Sequence, residues 1–522
     1  MKILCGYNVN IDSVYRMGGA ELSELLESFE SSEVLEKIDS PPGRIDSKSD
    51  FAAGLAYCMK NGCGAEWLVF NPSVFEFLKG LYFEKSLVRM GGNAGIMANT
   101  LSELGASLVV PNVAVPSKTQ LSLFSRKSVY FPGSSSAKGQ GEAEVKSQVD
   151  EINVDKSQVD ESKVDKSQVD EINVDKSQVD EINVDRINVD RIKVDASAPE
   201  QDPIHFVFDF SEGESFSIYG EQFTVPRENR FIATCDQLNF RLFINPDFDA
   251  YALQHAGEMD GALISGFHLL LEEYPDGGSY LEIVEQVLSR VLAWKAGNER
   301  LSVHLEFGHF ANRKLACTVF SKFAAIVDSL GMNEDELASF HELHGIPVEA
   351  LLRMDAEAVG KAASCLASLH RLRKLVVHTR EFVLAAVRWD DTGSSACGCP
   401  ERPELIRRPF YSRKVEIEIE ALEFGVKCAG TYAATGRLDG RDFVEMEAPE
   451  LQESEPGRKE VGRFLEAFGG EAAGNGAFAF RGGYMLCMLP TLLSKSPVTT
   501  VGLGDTLTAG TFLRRLELDV QA

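Results

Sequence analysis

The sequence predicts an α/β protein whose main sheet is mostly parallel and is covered by helices on both faces. Short β-rich runs alternate with helical patterns along most of the 522 residues, and several of these runs end at a polar residue or a glycine. The run GALISGF (261–267), for example, precedes the amphipathic segment YLEIVEQVLSRVLAWKAG (280–297). Repeated strand–turn–helix units of this kind are typical of parallel sheets, whose ligands bind at the carboxyl ends of the strands. The polar residues at those ends are therefore the candidates for function.

Composition and charge argue against several classes of protein. The chain carries 52 basic and 79 acidic residues, a net charge of −27, which disfavours binding to the phosphate backbone of nucleic acids. The ten cysteines show neither zinc-ligand spacing nor a disulfide framework, so we interpret them as reduced thiols. The sequence shows no secretory signal and no run of about 18 apolar residues. We therefore expect a soluble cytoplasmic protein, a monomer or small homo-oligomer, with no nucleic-acid or membrane partner.

One segment has the composition of an insertion. Residues 146–195 are ten five-residue units that end in Val-Asp, as in KSQVDEINVD, and linker-like sequence flanks them. The spacing of their apolar residues matches neither a helix nor a strand. We expect a solvated, largely disordered insertion over 136–200, and we assign it no chemistry.

The clearest candidate for chemistry is the stretch TVGLGDT near the end of the sequence. We expect a strand at 498–501, a glycine turn, and a helix that begins near Thr506. Gly502 and Gly504 would let the backbone approach an anion closely, beside the free N–H groups of a helix N-terminus. Asp505 could then accept a proton from a substrate hydroxyl group. The alternative is an Asp505 that only caps its helix.

Two other strand ends carry polar groups on one face. In HLEF, His304 and Glu306 are two residues apart, so on a strand they share a face, and a carboxylate there suits the Mg²⁺ of phosphoryl transfer. The alternative for Glu306 is an edge residue paired with a base. In GYNVNID, Asn8, Asn10 and Asp12 alternate at the end of the first strand, where sugar hydroxyls would be good partners for them. A strand edge that faces water is the alternative.

Three further segments join the candidates. RMGGNAGIMAN contains a Gly-Gly turn before a helix of small residues, which suits either close approach of a ligand or tight packing. PRENRF holds Arg227 and Arg230, whose forks suit phosphate oxygens, although a surface ion pair is the default interpretation. VVHTREF ends a strand with His378, Thr379 and Arg380, which suit a base or ribose and equally the capping of a turn.

Six motifs, taken in order along the chain, resemble those of the archaeal ADP-dependent sugar kinases, a family of glucokinases and 6-phosphofructokinases with the ribokinase-like fold. The motifs are GYNVNID, RMGGNAGIMAN, PRENRF, HLEF, VVHTREF and TVGLGD. The resemblance covers essentially the whole chain except the Val-Asp insertion, and it is strongest to the phosphofructokinases of methanogens. It implies transfer of the β-phosphoryl group of MgADP to a sugar hydroxyl, with AMP as the second product.

The resemblance also implies a role for each candidate residue. Asp505 would be the general base, and the amides around Gly502 and Gly504 would form an anion hole. Glu306, with Asp505, would organise Mg²⁺, for which other divalent cations can substitute. Arg230 would neutralise a phosphate group of the nucleotide or of the sugar. The remaining residues are expected to hold the sugar (Asn10, Asp12, Gly91, Gly92 and Asn93) or to lie near the nucleotide (His378, Thr379 and Val501).

The architecture implied by the resemblance is a ribokinase-like catalytic domain with a smaller α/β lid that closes over the sugar and excludes water. The predicted catalytic domain comprises 1–12, 86–125 and 240–522, and the predicted lid comprises 13–85, 126–135 and 201–239. A basic residue of the lid should contact a sugar phosphate. Lys127 and Lys138 are the candidates for that residue, and the alternative is that neither of them fills the role.

The choice of sugar depends on the position of Glu66. In the family, an acid at this position accompanies glucose use, and an apolar residue accompanies strict use of fructose 6-phosphate. A carboxylate repels a phosphate dianion but accepts hydrogen bonds from glucose. From the overall resemblance we expect a glycolytic 6-phosphofructokinase, for which use of glucose as a second sugar stays open, with a glucokinase as the alternative.

Two other classes of protein stay open. One is an ATP-dependent kinase of the same fold, which would release ADP instead of AMP. The other is a non-catalytic protein that binds a sugar or a nucleotide on this scaffold, against which the presence of both Asp505 and Glu306 argues.

Overall fold

The chain builds two large β-sheets on which helices pack. The computed structural model describes residues 1–133, 202–274, 276–310, 312–341, 347–389 and 409–521. All of these residues belong to one compact unit. The predicted insertion at 136–200, including Lys138, lies outside the described residues.

The larger sheet has ten strands and a parallel centre. Six neighbouring strands run parallel: β6 (Leu108–Pro111), β1 (Lys2–Gly6), β11 (Gly261–Ile264), β12 (Ser302–Glu306), β13 (Ser329–Asn333) and β14 (Lys374–His378). An antiparallel edge continues with β15 (Phe382–Arg388), β19 (Tyr484–Pro490), β18 (Gly476–Arg481) and β17 (Glu471–Ala473). The carboxyl ends of the six parallel strands therefore share one edge of this sheet.

The smaller sheet has six strands and mixes parallel with antiparallel pairs. Its strands, in spatial order, are β3 (Arg44–Ile45), β4 (Ala65–Val69), β10 (Asn229–Cys235), β7 (Ile204–Phe210), β2 (Asn10–Arg16) and β5 (Leu87–Gly91). Two further strand pairs are β8 (Ser215–Ile218) with β9 (Glu221–Thr224), and β16 (Gln452–Glu453) with β20 (Leu492–Leu493).

The helices follow in two groups. Those before residue 134 are α1 (Gly19–Glu27), α2 (Ser31–Asp39), α3 (Lys48–Asn61), α4 (Pro72–Tyr82), α5 (Asn93–Glu103) and α6 (Lys118–Ser122). Those after residue 201 are α7 (Pro246–His255), α8 (Tyr280–Gly297), α9 (Arg313–Phe323), α10 (Glu334–His341), α11 (Val348–Leu352), α12 (Ala356–Leu369), α13 (Pro409–Thr435), α14 (Arg441–Glu447), α15 (Glu455–Phe468) and α16 (Leu503–Gln521). Helix α8 coincides with the predicted amphipathic segment. Among the helices described here, none combines the length and the hydropathy of a membrane span.

Apolar residues bury both faces of the larger sheet, as the sequence predicts for a parallel sheet. On β1, Leu4 belongs to the core that contains Trp294 of α8 and Phe320 of α9. Its neighbours Ile3 and Cys5 belong to a separate core under α5 and α16. Since successive residues of a strand point to opposite faces, the two cores lie on opposite sides of the sheet. The smaller sheet has a core of its own.

Three strand assignments differ from the predictions. The first strand ends at Gly6, so Asn10 and Asp12 do not lie at its end but begin β2 in the smaller sheet. Strand β5, expected in the catalytic domain, pairs with β2 in the smaller sheet, whereas Val129, expected in the lid, bridges Val109 beside the larger sheet. The sheet to which a strand belongs depends on hydrogen bonds to strands that are distant in sequence. The local sequence pattern does not reveal these bonds.

The segment 498–501 is not the predicted strand, and α16 begins at Leu503, earlier than expected. The amide of Val501 donates to the side chain of Thr499, and the amide of Val498 donates to the carbonyl of Ala433 on α13. The two amides therefore donate to a threonine hydroxyl and to a helix carbonyl, and not to a neighbouring strand.

Helix α16 is held against α13 by a contact between glycines. A Cβ atom added at Gly425 of α13 would lie 2.0 Å from Oγ1 of Thr511 and 2.6 Å from the carbonyl oxygen of Leu507, both on α16. At Gly510 of α16, the Cα atom of Gly425 lies 3.3 Å from the position of an added Cβ atom. Gly425 therefore leaves no room for a methyl group, and a methyl group at Gly510 would lie in tight contact with α13.

We expect Gly425→Ala to lower the free energy of unfolding by about 1–3 kcal/mol, because α16 must move away from α13 to accept the methyl group. Urea unfolding followed by circular dichroism measures this change. Gly462→Ala is the matched control, since Gly462 lies inside helix α15 with open space around its Cβ position. That variant should be more stable than the parent by about 0.5–1 kcal/mol, and equal effects at both positions would contradict the packing argument.

Candidate active site

A cavity of about 760 Å³ lies at the carboxyl edge of the parallel strands. Strands β12, β13 and β14 end in its wall, α16 begins there, and β4 and α5 contribute one residue each. The predicted site residues in its lining are Glu66, Asn93, Glu306, His378, Thr379, Gly502, Gly504 and Asp505. The predicted residues outside the lining are Asn10, Asp12, Gly91, Gly92, Arg230 and Val501.

Asp505 is a buried carboxyl group in the first turn of α16, with 8 % of its surface exposed. It lies two residues inside the helix, so it is not the capping residue of the alternative interpretation. Its Oδ1 atom accepts a hydrogen bond of 2.7 Å from Nδ2 of Asn93. Burial raises the pKa of Asp505 to about 7, although the hydrogen bond from Asn93 acts in the opposite direction, and the charge of Glu306 raises it further. A carboxyl group with such a pKa can accept a proton near neutral pH.

Steric contacts favour glycine at both Gly502 and Gly504, just before Asp505. Gly502 has φ = 76°, in the left-handed region, and a Cβ atom there would lie 2.9 Å from Cδ1 of Ile96. At Gly504 a Cβ atom would lie 2.9 Å from Cε1 of His378. The turn therefore presents bare backbone to the cavity at the positive end of a helix, which favours an anionic group.

Glu306 is a buried carboxylate held by three donors. His304 Nε2 and Thr508 Oγ1 each lie 3.0 Å from its Oε2 atom, and His378 Nε2 lies 2.8 Å from Oε1. Burial alone would raise the pKa of Glu306, but the charge and hydrogen bonds of the two histidines outweigh it and hold the pKa at about 2. The carboxylate is 3 % exposed. Glu306 is thus paired with bases, as the alternative interpretation proposed, but it is buried in the cavity wall and not at a solvated edge.

His378 and Thr379, at the end of β14, differ in what they offer to a ligand. Burial lowers the pKa of His378, but the carboxylate of Glu306 outweighs burial and raises it to about 9. The hydroxyl of Thr379 accepts from the amides of Glu381 and Phe382 and donates to the carbonyl of Phe382. Thr379 therefore lies in the cavity wall with its hydroxyl engaged in the β14–β15 turn.

A chain of amides connects the two sheets to Asp505. Asn8 lies between β1 and β2, and its Nδ2 atom donates to Oδ1 of Asn93 at 3.2 Å. Nδ2 of Asn93 in turn donates to Asp505. The orientation of the Asp505 carboxyl group thus depends on residues at the junction of the two sheets.

The predicted sugar-side residues of β2 are buried beside the Gly-Gly turn. Nδ2 of Asn10 donates to Oδ1 of Asp12 at 2.8 Å. A Cβ atom at Gly91 would lie 2.1 Å from Oδ1 of Asp12, so only glycine fits there. Burial raises the pKa of Asp12, against the charges of His205 and Arg89. The water-facing strand edge of the alternative interpretation is therefore wrong for both residues of β2.

Glu66 belongs to a polar cluster that our sequence analysis missed in part. Its Oε1 atom accepts from the hydroxyl of Thr234 at 2.6 Å and lies 3.8 Å from Nδ1 of His205. The other ring nitrogen of His205 lies 3.2 Å from Oδ2 of Asp236. Burial lowers the pKa of His205, but Asp236 and Glu66 outweigh it, so the pKa is raised overall. The available signal was a lone histidine in the otherwise apolar strand start IHFVF.

Two arginines of the smaller sheet reach the segment before α16. Arg89 Nη1 lies 3.4 Å from Oγ1 of Thr499, and Arg230 Nη2 lies 3.4 Å from Oγ1 of Thr500. Arg89 was not among the predicted residues. Lys127, a predicted candidate for contact with a sugar phosphate, instead forms ion pairs with Glu103 of α5 and with Asp439 before α14.

Glu336 is a carboxyl group in the cavity lining that the sequence analysis did not predict. It accepts hydrogen bonds from the amide and the side chain of Asn333, at the end of β13. Burial raises its pKa to about 7. The signal for it was the spacing of Asn333 and Glu336, three residues apart directly after a strand.

Buried polar atoms beside the cavity are left without a partner. Nδ1 of His268, which lines the cavity, and Oδ1 of Asn10 have no hydrogen-bond partner among the described residues. Because an unmet buried polar atom destabilises a fold, these two atoms are available to a water molecule or to a polar ligand.

Comparison with known proteins shows the family of the chain. The family model described as ADP-specific Phosphofructokinase/Glucokinase conserved region matches residues 1–514. The ADP-specific phosphofructokinase of Pyrococcus horikoshii is 25% identical over 99% of this chain and 98% of its own length. The ADP-dependent glucose/glucosamine kinase of Pyrococcus abyssi is also 25% identical, over 99% and 94%. The ADP-specific phosphofructokinase of Methanosarcina acetivorans is 24% identical, over 98% and 92%.

Solved structures show the same fold. A hypothetical ADP-dependent phosphofructokinase from Pyrococcus horikoshii OT3 superposes with a TM-score of 0.72 at 23% identity, covering 100% of this chain and 99% of its own. An ADP-dependent kinase in complex with fructose-6-phosphate and ADPβS superposes with a TM-score of 0.65 at 22% identity, covering 99% and 93%. The predicted α/β, ribokinase-like fold is thereby confirmed. Since the family model spans nearly the whole sequence, the chain belongs to the ADP-specific phosphofructokinase/glucokinase family.

Proposed function

We propose that the protein transfers the β-phosphoryl group of ADP to the 1-hydroxyl of fructose 6-phosphate, which yields fructose 1,6-bisphosphate and AMP. The observation that carries this proposal is Asp505, a buried carboxyl group beside a glycine turn, in a cavity to which both sheets contribute. The names of the relatives support it, because several are ADP-specific phosphofructokinases. So does the similar solved structure that holds fructose-6-phosphate and ADPβS.

Glucose is the second candidate acceptor, and one observation favours it. The carboxylate of Glu66 lines the cavity and accepts a hydrogen bond from Thr234, so it can accept hydrogen bonds from a neutral sugar as well. A glucose/glucosamine kinase among the relatives is consistent with this second activity.

The chemistry follows from the position of Asp505. Its carboxylate takes the proton of the sugar hydroxyl while the hydroxyl oxygen bonds to the β-phosphorus and the bond from that phosphorus to AMP breaks. The backbone N–H groups around Gly502 and Gly504 stabilise the negative charge on the transferred phosphoryl group. Arg230 neutralises a phosphate group from the side of the smaller sheet.

Glu306 fits a role in holding Mg²⁺ through water. Its two oxygen atoms already accept hydrogen bonds from three side chains. Among the described residues, no three histidine, cysteine or acidic side chains converge as a metal site. Mg²⁺ commonly uses one or two carboxylates, several waters and the phosphates of its substrate, so Glu306, Asp505 and ADP form a sufficient donor set. The metal would neutralise charge on the diphosphate.

The other predicted residues receive supporting roles in this proposal. The smaller sheet acts as the lid, with its arginines and Glu66 over the sugar. The side chains assigned to the sugar are Asn10, Asp12 and Asn93, for which Gly91 and Gly92 leave room, and those assigned to the nucleotide are His378, Thr379 and Val501. The pairing of His378 with Glu306 supports a charged imidazole near the diphosphate.

We expect Asp505→Asn to lower kcat by a factor of about 10² to 10⁴, because an amide cannot accept the proton of the sugar hydroxyl. The rate of AMP formation from ADP and fructose 6-phosphate measures the effect, and supplying ATP instead separates the ATP-dependent alternative. Asp442→Asn is the control, since Asp442 is exposed on α14 and should keep the parent rate. Parent-like activity of the Asp505 variant would overturn the mechanism.

We expect Arg230→Gln and Glu66→Gln to have opposite effects on the KM values for fructose 6-phosphate and glucose. Loss of a charged phosphate contact should raise the KM for fructose 6-phosphate by about 10- to 100-fold, with a much smaller effect on glucose. Glu66→Gln should instead raise the KM for glucose and leave fructose 6-phosphate as good or better. Each variant serves as the control for the other, and parallel changes for both sugars would contradict the assignment.

We expect Glu306→Gln to increase the Mg²⁺ concentration needed for half-maximal rate by about 10- to 100-fold, because a neutral amide holds the waters of the ion less well. A titration of the rate with MgCl₂ at fixed ADP tests this, and a chelator should abolish the activity of the parent. Glu299→Gln, an exposed change before β12, should leave the titration unchanged. An unaltered Mg²⁺ requirement of the Glu306 variant would remove this residue from metal binding.

A further inference from the structure

Polar side chains form a row across the smaller sheet. The strand register pairs Arg89 of β5 with Asp12 of β2, Asp12 with His205 of β7, and His205 with Thr234 of β10. Residues that are paired in this way point to the same face of a sheet. Ile11, directly before Asp12, belongs to the core of the smaller sheet, so the row lies on the face opposite that core.

Arg89 is the cation that faces the carboxylate of Asp12. Nε of Arg89 lies 3.8 Å from Oδ2 of Asp12, and this is the ion pair that Asp12 makes within the described part of the chain. His205 is the other neighbour of Asp12 in the register, but its two ring nitrogens face the carboxylates of Asp236 and Glu66. Burial raises the pKa of Asp12, and the charges of His205 and Arg89 oppose this effect. The charged form of Asp12 therefore depends on Arg89 as its direct ionic partner.

The geometry of this pair leaves Oδ2 of Asp12 able to accept a hydrogen bond. Oδ1 accepts from Nδ2 of Asn10 at 2.8 Å. At 3.8 Å from Oδ2, Nε of Arg89 is too distant for a hydrogen bond, so it acts on this oxygen through its charge and leaves the lone pairs unoccupied. The carboxylate of Glu306 differs, because donors already occupy both of its oxygen atoms.

The other end of the guanidinium group reaches the segment before α16. Nη1 of Arg89 lies 3.4 Å from Oγ1 of Thr499. The amide of Thr499 donates to the carbonyl of Ala433 on α13, so this segment is fixed to the larger part of the molecule. Arg89 is 24% exposed at its side chain and thus lies between β2 of the smaller sheet and the approach to the Gly502 turn. Two partners on different elements fix the orientation of its planar group.

We propose that Arg89 is a positioning residue of the sugar site, which acts by holding the Asp12 carboxylate charged and oriented so that Oδ2 accepts a hydrogen bond from a sugar hydroxyl. This inference rests on the proposed function, in which Asp12 holds the sugar. The role differs from that of Arg230, whose expected partner is a phosphate group, and from that of Glu66, whose expected partner is glucose. Since fructose 6-phosphate and glucose both carry hydroxyl groups, Arg89 serves both sugars.

We expect Arg89→Gln to raise the KM for fructose 6-phosphate and the KM for glucose by about tenfold each, because the Asp12 carboxylate loses the cation that stabilises and orients it. The value of kcat should stay within about threefold of the parent, since Asp505 and the glycine turn are unchanged. Arg89→Lys keeps a positive charge beside Asp12 and should keep both KM values within about threefold of the parent. Initial rates of AMP formation at saturating ADP measure these values.

A double-mutant cycle with Asp12→Asn shows whether Arg89 acts through Asp12. In the Asp12→Asn background, Arg89→Gln should lower kcat/KM for either sugar by less than about twofold, because the carboxylate on which it acts is gone. A merely structural role of Arg89 would instead lower kcat/KM by the same factor in both backgrounds. Rates at low sugar concentration give kcat/KM even where KM is too high to reach.

Arg44→Gln is the matched control. Arg44 also lies in the smaller sheet and pairs with an aspartate, Asp46, but its side chain is 62% exposed, so this variant should keep the parent KM values. Melting temperatures of all variants show that they are folded at the assay temperature. Parent-like KM values for Arg89→Gln, equal effects in the two backgrounds, or a lysine variant as poor as the glutamine variant would overturn the inference.

Calorimetric titration of the same proteins with each sugar keeps this inference distinct from the kinase assignment. A parent protein that binds the sugars but forms no AMP contradicts the kinase assignment alone, and the dissociation constants then replace KM in the same comparison. A parent protein that binds neither sugar overturns both proposals.

Discussion

The buried negative charge of Glu306 is the constraint on which the rest of the site depends. A carboxylate that is only 3 % exposed costs several kcal/mol to remove from water unless donors surround it. The donors here come from three different elements: His304 from β12 itself, His378 from β14 and Thr508 from α16. His304 is fixed in turn by the hydroxyl of Ser329, at the start of β13. Satisfying one charge therefore fixes the relative positions of three strands and a helix.

The position of Asp505 follows from this constraint. Thr508 lies one helical turn after Asp505, so the hydrogen bond that holds Glu306 also sets how far α16 extends into the cavity. The helix can lie there only because small residues permit close contacts. A Cβ atom on Gly331 of β13 would lie 2.1 Å from Oε2 of Glu306, and one on Gly504 would meet His378. The pKa of about 7 at Asp505 is a consequence, since the same packing that holds Glu306 also excludes water from its neighbour.

The sequence was sufficient for those parts of the site that lie at the ends of parallel strands. Polar residues after successive strands must meet at one edge, so Glu306 and His378 could be brought together without coordinates. The failures have a different cause. Strand β2 and the segment 498–501 both contain β-forming residues. Strand β2 pairs in the smaller sheet, whereas 498–501 forms no strand. Strand pairing depends on partners that are distant in sequence, so the local pattern did not separate the two cases.

Isolated polar residues of the site could not be predicted from the sequence either. His205 and Glu336 carry no motif that separates them from ordinary strand and helix residues, and their roles appear only when burial and neighbours are known.

The connection between the two sheets makes the carboxyl group of Asp505 dependent on the position of the smaller sheet. The hydrogen bond to Asp505 comes from Asn93, which follows directly on the Gly-Gly turn after β5 of the smaller sheet, and Asn93 is held by Asn8 at the passage from β1 to β2. This bond lowers the pKa of Asp505 against the effect of burial. A displacement of the smaller sheet that lengthened it would therefore favour the protonated acid, which cannot act as a base. The carboxylate form is thus favoured when the sheet that supplies Glu66 and Arg230 is in place, so that proton acceptance is tied to the arrangement that would hold the sugar.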